Sequence, residues 1–242
     1  MAIFGAALAL ILTGCPANPD DTNGTLTMNL RGQVWTMEES WDLDTDAWEV
    51  SFVEFGESRG VTFLTWWQPG ITNGYLNFSI GSLSASHLNN IENVMHKFVG
   101  WEGAGNEDSI VTISDRDTRA VWLSLEAASG NIRGTLSRRY LDISQNSRTD
   151  EQVSYIFVDR NVTISRTFRT YTAEWDFDGD GFSATFTYND FVLSLRQGWN
   201  AVHFRNDFLE TAGEGWGTFF TNTITISDPA HMRWVLFERE YD

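Results

Sequence analysis

"WDFDGDGFSATF", residues 175–186, carries aspartate at 176, 178 and 180 and glycine at 181, the opening pattern of an EF-hand calcium loop. Its reading decides the fold, because such a loop joins two helices whereas a hairpin joins two strands. Counting from Asp176, the twelfth position is Thr187, where the EF-hand needs a bidentate glutamate. The flanks "TYTAEWDF" and "FSATFTY" alternate with period two, as strands do. The pattern recurs at 41–52, "WDLDTDAWEVSF", where Trp41, Asp42, Asp44, Asp46, Trp48 and Phe52 match Trp175, Asp176, Asp178, Asp180, Phe182 and Phe186. Both copies read as strand, acidic turn, strand, since Asp and Gly make tight turns without a metal. Asp176, Asp178 and Asp180 stay the candidate calcium ligands; otherwise no cofactor is expected.

Outward from this hairpin the alternation continues. "AWEVSFVEF" places Trp48, Val50 and Phe52 on one face, and "AVWLSLEA" does the same with Val121, Leu123 and Leu125. "VSYIFV", "NVTIS", "WNAVHF", "GTFFTNTITIS" and "RWVLFE" are further short runs rich in β-branched and aromatic residues. Asn73-Gly74 between "WWQPGIT" and "YLNFSI" signals a hairpin. One helix is expected near residues 85–98, where Leu88, Ile91, Met95 and Phe98 form an apolar stripe, Ser84 or Ser86 caps the start and Gly100 follows the end. The expected fold is all-β, an antiparallel β-sandwich architecture in two β domains, 25–105 and 106–242, divided at the glycine-rich "GWEGAGNEDS". A single larger sandwich with a helical crossover fits the same pattern.

The chain of 242 residues has a formal net charge of −17, and Lys97 is its only lysine. Such a surface repels phosphate backbones, so no nucleic-acid partner is expected. A content of 42% hydrophobic and 14% aromatic residues excludes a disordered chain.

The chain opens "MAIFGAALALILTGCPANPDD". The apolar run from Ala2 to Leu12 is too short to span a bilayer and reads as the core of a signal peptide, residues 1–14. No Lys or Arg precedes it, so the true start can lie upstream. Leu12-Thr13-Gly14-Cys15 resembles a bacterial lipobox, which implies cleavage before Cys15 and a lipid on its sulfur. Residues 15–24, polar and rich in Pro, Asp and Asn, read as a tether. Together with this motif, "VTISDRDTRAVWLSL", "YIFVDRNVTIS" and "LSLRQGWNAVHF" resemble uncharacterised bacterial surface lipoproteins, especially of spirochaete type. The resemblance implies lipid anchoring in the bacterial cell envelope, at the outer membrane or cell surface, and supplies no catalytic residues. Gly198-Trp199-Asn200 recurs in that group; physically it reads as a turn entering a strand whose first large residue plugs the core.

Little else carries chemistry. The sequence contains no nucleophile elbow, zincin helix, Walker loop or Rossmann glycines. His87, His96, His203 and His231 are scattered, and Glu49 and Glu54 fall on opposite faces of one strand. In Trp66-Trp67 one indole is free to face a ligand if the strand is buried on one side only, which makes the pair the candidate ligand-binding residues. The expected function is therefore non-catalytic, a lipid-anchored binding or scaffolding protein with a protein or glycan ligand. A glycan-binding module using exposed tryptophans is the alternative, and a glycoside hydrolase assembled from distant acids comes after it.

Overall fold

The computed structural model describes residues 27–42, 47–64, 66–81, 83–96, 111–129, 132–144, 147–177, 180–211 and 217–240. Before residue 100 the strands are β1 (Met28–Asp42), β2 (Ala47–Glu54), β3 (Arg59–Phe63), β4 (Trp66–Thr72), β5 (Tyr75–Ile80) and β6 (Asn89–Asn90), followed by helix α1 (Ile91–His96). The next group is β7 (Val111–Ile113), β8 (Arg119–Trp122), β9 (Leu125–Ser129), β10 (Ile132–Ser144), β11 (Ser147–Val158) and β12 (Val162–Arg166). The last is β13 (Arg169–Phe177), β14 (Asp180–Tyr188), β15 (Phe191–Leu195), β16 (Gly198–Thr211), β17 (Gly217–Ile226) and β18 (Arg233–Glu240).

The described chain is all-β apart from short helical turns, but its main sheet does not form one layer of a sandwich. It closes on itself. In the order β10-β18-β1-β5-β4-β3-β9, the seventh strand pairs back with β10, giving a barrel. The alternation of each strand turns one residue in two inward. Phe63, Leu125, Leu136 and Leu236 lie side by side across β3, β9, β10 and β18, all buried. The next layer, Val61, Ala127 and Gly134, is built of small residues, and a Cβ on Gly134 would meet Phe237 O at 2.6 Å. Large and small layers thus alternate to fill the interior. The barrel takes β1, β3, β4 and β5 from before residue 105 and β9, β10 and β18 from after it, so its core straddles the division expected there.

β10 and β11 are long enough to leave the barrel, and β11 continues outward into a wing in the order β11-β16-β17-β14-β13. The small sheet β15-β12-β7 packs on one face of this wing, burying Ile164, Leu193 and Leu195 against Ile156, Val202 and Ile224. Here, among the described residues, two sheets face each other. Arg166 sits in this joint with its guanidinium 4.8 Å from the Phe191 ring centre and 5.0 Å from that of Tyr188, donating to Asn222 Oδ1 at 2.8 Å. Burial lowers its pKa to about 10.

The acidic segments are hairpins: Phe177 pairs with Asp180 across β13–β14, and Asp42 pairs with Ala47 across β1–β2. Asn73 (φ 47°) and Gly74 (φ 74°) are left-handed, as a two-residue type I′ turn requires.

Among the described residues the one short helix expected near 85–98 is present, but it begins only at Ile91. Ala85–His87 is a 3₁₀ turn, Leu88 is extended, Asn89–Asn90 pairs with β8, and only Ile91–His96 is α-helical. The cause is Asn90, whose Oδ1 accepts from Glu92 N (2.7 Å) and caps a new helix, while Ile91 N donates to Thr118 O (3.0 Å). The apolar stripe is buried but divided: Leu88 joins the barrel core, and Ile91 and Met95 join the core under the small sheet. Phe98 lies outside the described residues.

Candidate functional site

After β17 the chain must return across the sheet to reach β18 beside β10, so residues 227–232 form a strap over β16, β11 and β10. Its fastener is Asp228. Arg138 donates to it at 2.9 Å, and Tyr155 Oη at 3.0 Å. The same guanidinium donates to the carbonyls of Pro229 (3.2 Å) and Met232 (3.3 Å). Burial, reinforced by the charge of Asp228, holds the Tyr155 phenol above its ordinary range. A phenol whose folded pKa is raised contributes stability below its unfolded value, and loses it as pH rises through the folded one. Wild-type protein should therefore lose melting temperature between about pH 8 and about pH 11 by more than Tyr155→Phe does. Equal losses in the two proteins would contradict this. At neutral pH the variant should be less stable by about 1 kcal/mol, for the lost hydrogen bond.

Beyond the strap, the upper ends of β10, β11 and β16 present one face to a cleft of about 330 Å³, lined by Tyr140, Asp142, Thr149, Glu151, Arg205 and His231. Register explains the grouping. Tyr140, Glu151 and Arg205 stand side by side across β10, β11 and β16, with Asp142, Thr149 and Asp207 in the next row on that face. Glu151 is only 4% exposed. Its Oε2 accepts from His203 Nε2 at 2.8 Å and from His231 Nε2 at 2.9 Å, and Arg205 reaches Oε1 at 3.4 Å. The Nε2–H tautomer on both rings satisfies this buried carboxylate. The strap thus delivers His231, which also meets the Tyr140 ring edge-on at 5.1 Å.

Arg205 is fixed in turn. Its Nε donates to Asp207 at 2.9 Å, which raises the guanidinium above its ordinary value. Burial by itself would raise the Asp207 carboxyl; hydrogen bonds from Arg205 and from Thr149 Oγ1 (2.8 Å) outweigh it and hold the group below the usual range.

Of the residues singled out in the sequence, Trp66 and Trp67 have their backbone in β4, opposite Phe63 and Thr62, and their side chains lie outside what the structure describes. Asp176 and Asp180 contribute backbone to β13 and β14; their side chains, with Asp178 and Cys15, also lie outside the described residues. Among the described residues no group of three His, Cys, Asp or Glu side chains is arranged to hold a metal ion. Because the 177↔180 pairing leaves two residues to join the strands, Asp178→Asn should leave thermal stability unchanged with or without calcium. A rise of several degrees with millimolar calcium in wild type alone would reverse this. The missed residues are Tyr140, Asp142, Thr149, Glu151, Arg205 and Asp207, with His203 and His231 known as residues but not as neighbours. One partial signal existed: His203 and Arg205 share a strand face.

No known protein family, characterised protein or solved structure matches the chain.

Proposed function

We propose that the protein is a lipid-anchored component of a bacterial envelope that binds a small polar ligand in the strap cleft and catalyses no reaction on it. One observation carries the binding reading: four of the six lining side chains, Thr149, Glu151, Arg205 and His231, are held by hydrogen bonds before any ligand arrives. Arg205 is held between Asp207 and Glu151, and His231 between Glu151 and Tyr140. Such preorganisation favours binding, because little side-chain freedom is left to lose. The filled barrel serves as the rigid support.

A hydrolytic reading has one observation on its side, since Asp142 and Glu151 both line the cleft. They stand on one sheet face, on adjacent strands, and Glu151 is buried with three donors already on its two oxygens, so it presents little to a substrate. Assay of wild-type protein with nitrophenyl glycosides and nitrophenyl esters should show no turnover above buffer. Turnover that disappears in Glu151→Gln would overturn the non-catalytic reading.

The anchor rests on the lipobox resemblance at Cys15. Wild-type protein should partition into the detergent phase, and Cys15→Ser should move it to the aqueous phase with its melting temperature unchanged. Wild-type protein lacking lipid on Cys15 would end this part of the proposal.

A further inference from the structure

We infer that the ligand of the strap cleft is a neutral sugar residue, an inference that rests on the binding reading above and names its chemistry. Charge comes first. One arginine, Arg205, faces three carboxylates, Glu151, Asp207 and Asp142, so a phosphate or carboxylate ligand would meet net repulsion. Arg205 is moreover already bonded to two of the three. A metal cation finds no set of three converging ligands here.

What remains is a lining of hydrogen-bond donors and acceptors beside one aromatic ring. A pyranose presents neighbouring hydroxyls, each able to donate and to accept, along with an apolar C–H face. Thr149 already spends its proton on Asp207 Oδ1 at 2.8 Å, so its oxygen is oriented as an acceptor. Asp142 is exposed and offers only acceptors, while the Tyr140 hydroxyl both donates and accepts. The Tyr140 ring, half-buried and braced by His231, supplies an apolar wall for the C–H face. The cleft of about 330 Å³ lies at the low end of small-molecule sites, of a size for one or two rings rather than a long chain. No tryptophan is among the described residues that line the cleft, so the apolar wall of this sugar site is Tyr140 rather than Trp66 or Trp67.

The test uses the whole chain and the ring signals of its four histidines in proton–carbon NMR. Glucose, galactose, mannose and N-acetylglucosamine are titrated separately, followed by sodium phosphate and zinc chloride. At least one sugar should shift the His231 signals to saturation while those of His87 stay still. Asp142→Asn should weaken that sugar about tenfold or more without changing the melting temperature. Tyr140→Ala should weaken it as much while lowering the melting temperature, because its ring packs against the barrel core. Saturable binding that survives both substitutions overturns the assignment. A saturable His231 shift with phosphate or zinc, and none with the sugars, overturns the sugar class while leaving a binding site in the cleft. Silence from all six probes overturns both.

Discussion

Trp199→Ala should destabilise the protein by about 4 kcal/mol, the range expected for removing a buried large aromatic side chain. Trp199 is the second residue of β16 and follows Gly198, whose φ of 101° turns the chain into the strand. Asn200 locks that turn, donating to Arg196 O at 2.8 Å and Gly198 O at 2.9 Å. The indole then meets Phe63 of the barrel at 5.9 Å and Phe157 of β11 at 5.5 Å, both edge-on, so one side chain ties the barrel to the wing. Its Nε1 is buried and finds no hydrogen-bond partner among the described residues. Trp199→Phe relieves that unsatisfied donor while keeping most of the ring, and should cost no more than about 1.5 kcal/mol. Urea unfolding of the two variants measures the difference. A cost below about 1 kcal/mol for the alanine would show that the neighbours collapse into the space and that the tie is weak.

Gly74→Ala should cost about 3 kcal/mol or more, although it adds one methyl group. That Cβ would stand 1.6 Å from Phe55 O, at a backbone φ of 74° that side chains rarely adopt. The neighbourhood cannot give way, because three segments are bonded through it. Val34 N donates to Gly74 O (2.8 Å), Gly74 N to Glu57 O (2.8 Å), and Phe55 N to Val34 O (2.9 Å). Gly81→Ala is the control. Nothing lies within 4 Å of its Cβ, and it should stay within about 0.5 kcal/mol of wild type. Equal thermal stability of the two variants would refute the close-approach argument.

Local features were legible in the sequence and non-local ones were not. Period-two alternation identified the strands around Asp176, β-branched and aromatic content the strand around Ile224, and Asn73-Gly74 announced its own turn, because these signals lie within a few residues. "AVWLSLEA", read as one strand, is instead divided into β8 and β9 at Leu123-Ser124. Barrel closure depends on which strands meet, β9 with β10 and β1 with β18, and alternation looks the same whichever neighbour is chosen. The late start of the helix shows local periodicity outweighed by a cap and by a hydrogen bond to Thr118. The cleft was hidden for a related reason. In "RTDEQV" Glu151 looks like a solvated acid, and its partners lie 52 and 80 residues further along. Only the register of β11 against β16 and the path of the strap put the three side chains together.

The parallel pairing of β1 with β18 has a kinetic consequence. Val34 lies opposite Trp234, two hundred residues later, and Trp234 Nε1 donates to the carbonyl of Arg31 at 3.2 Å. A chain emerging amino end first, from a ribosome or a translocation pore, must therefore hold β1 with one unpaired edge until nearly all of these residues have appeared. Contacts so distant along the sequence slow folding and leave a sticky edge exposed in the meantime. β18 is the keystone, and its arrival gives Val34, Leu136 and Leu236 a closed interior. The period of vulnerability to aggregation is set by the time taken to make β18, and a holding chaperone would be needed before that point rather than after it.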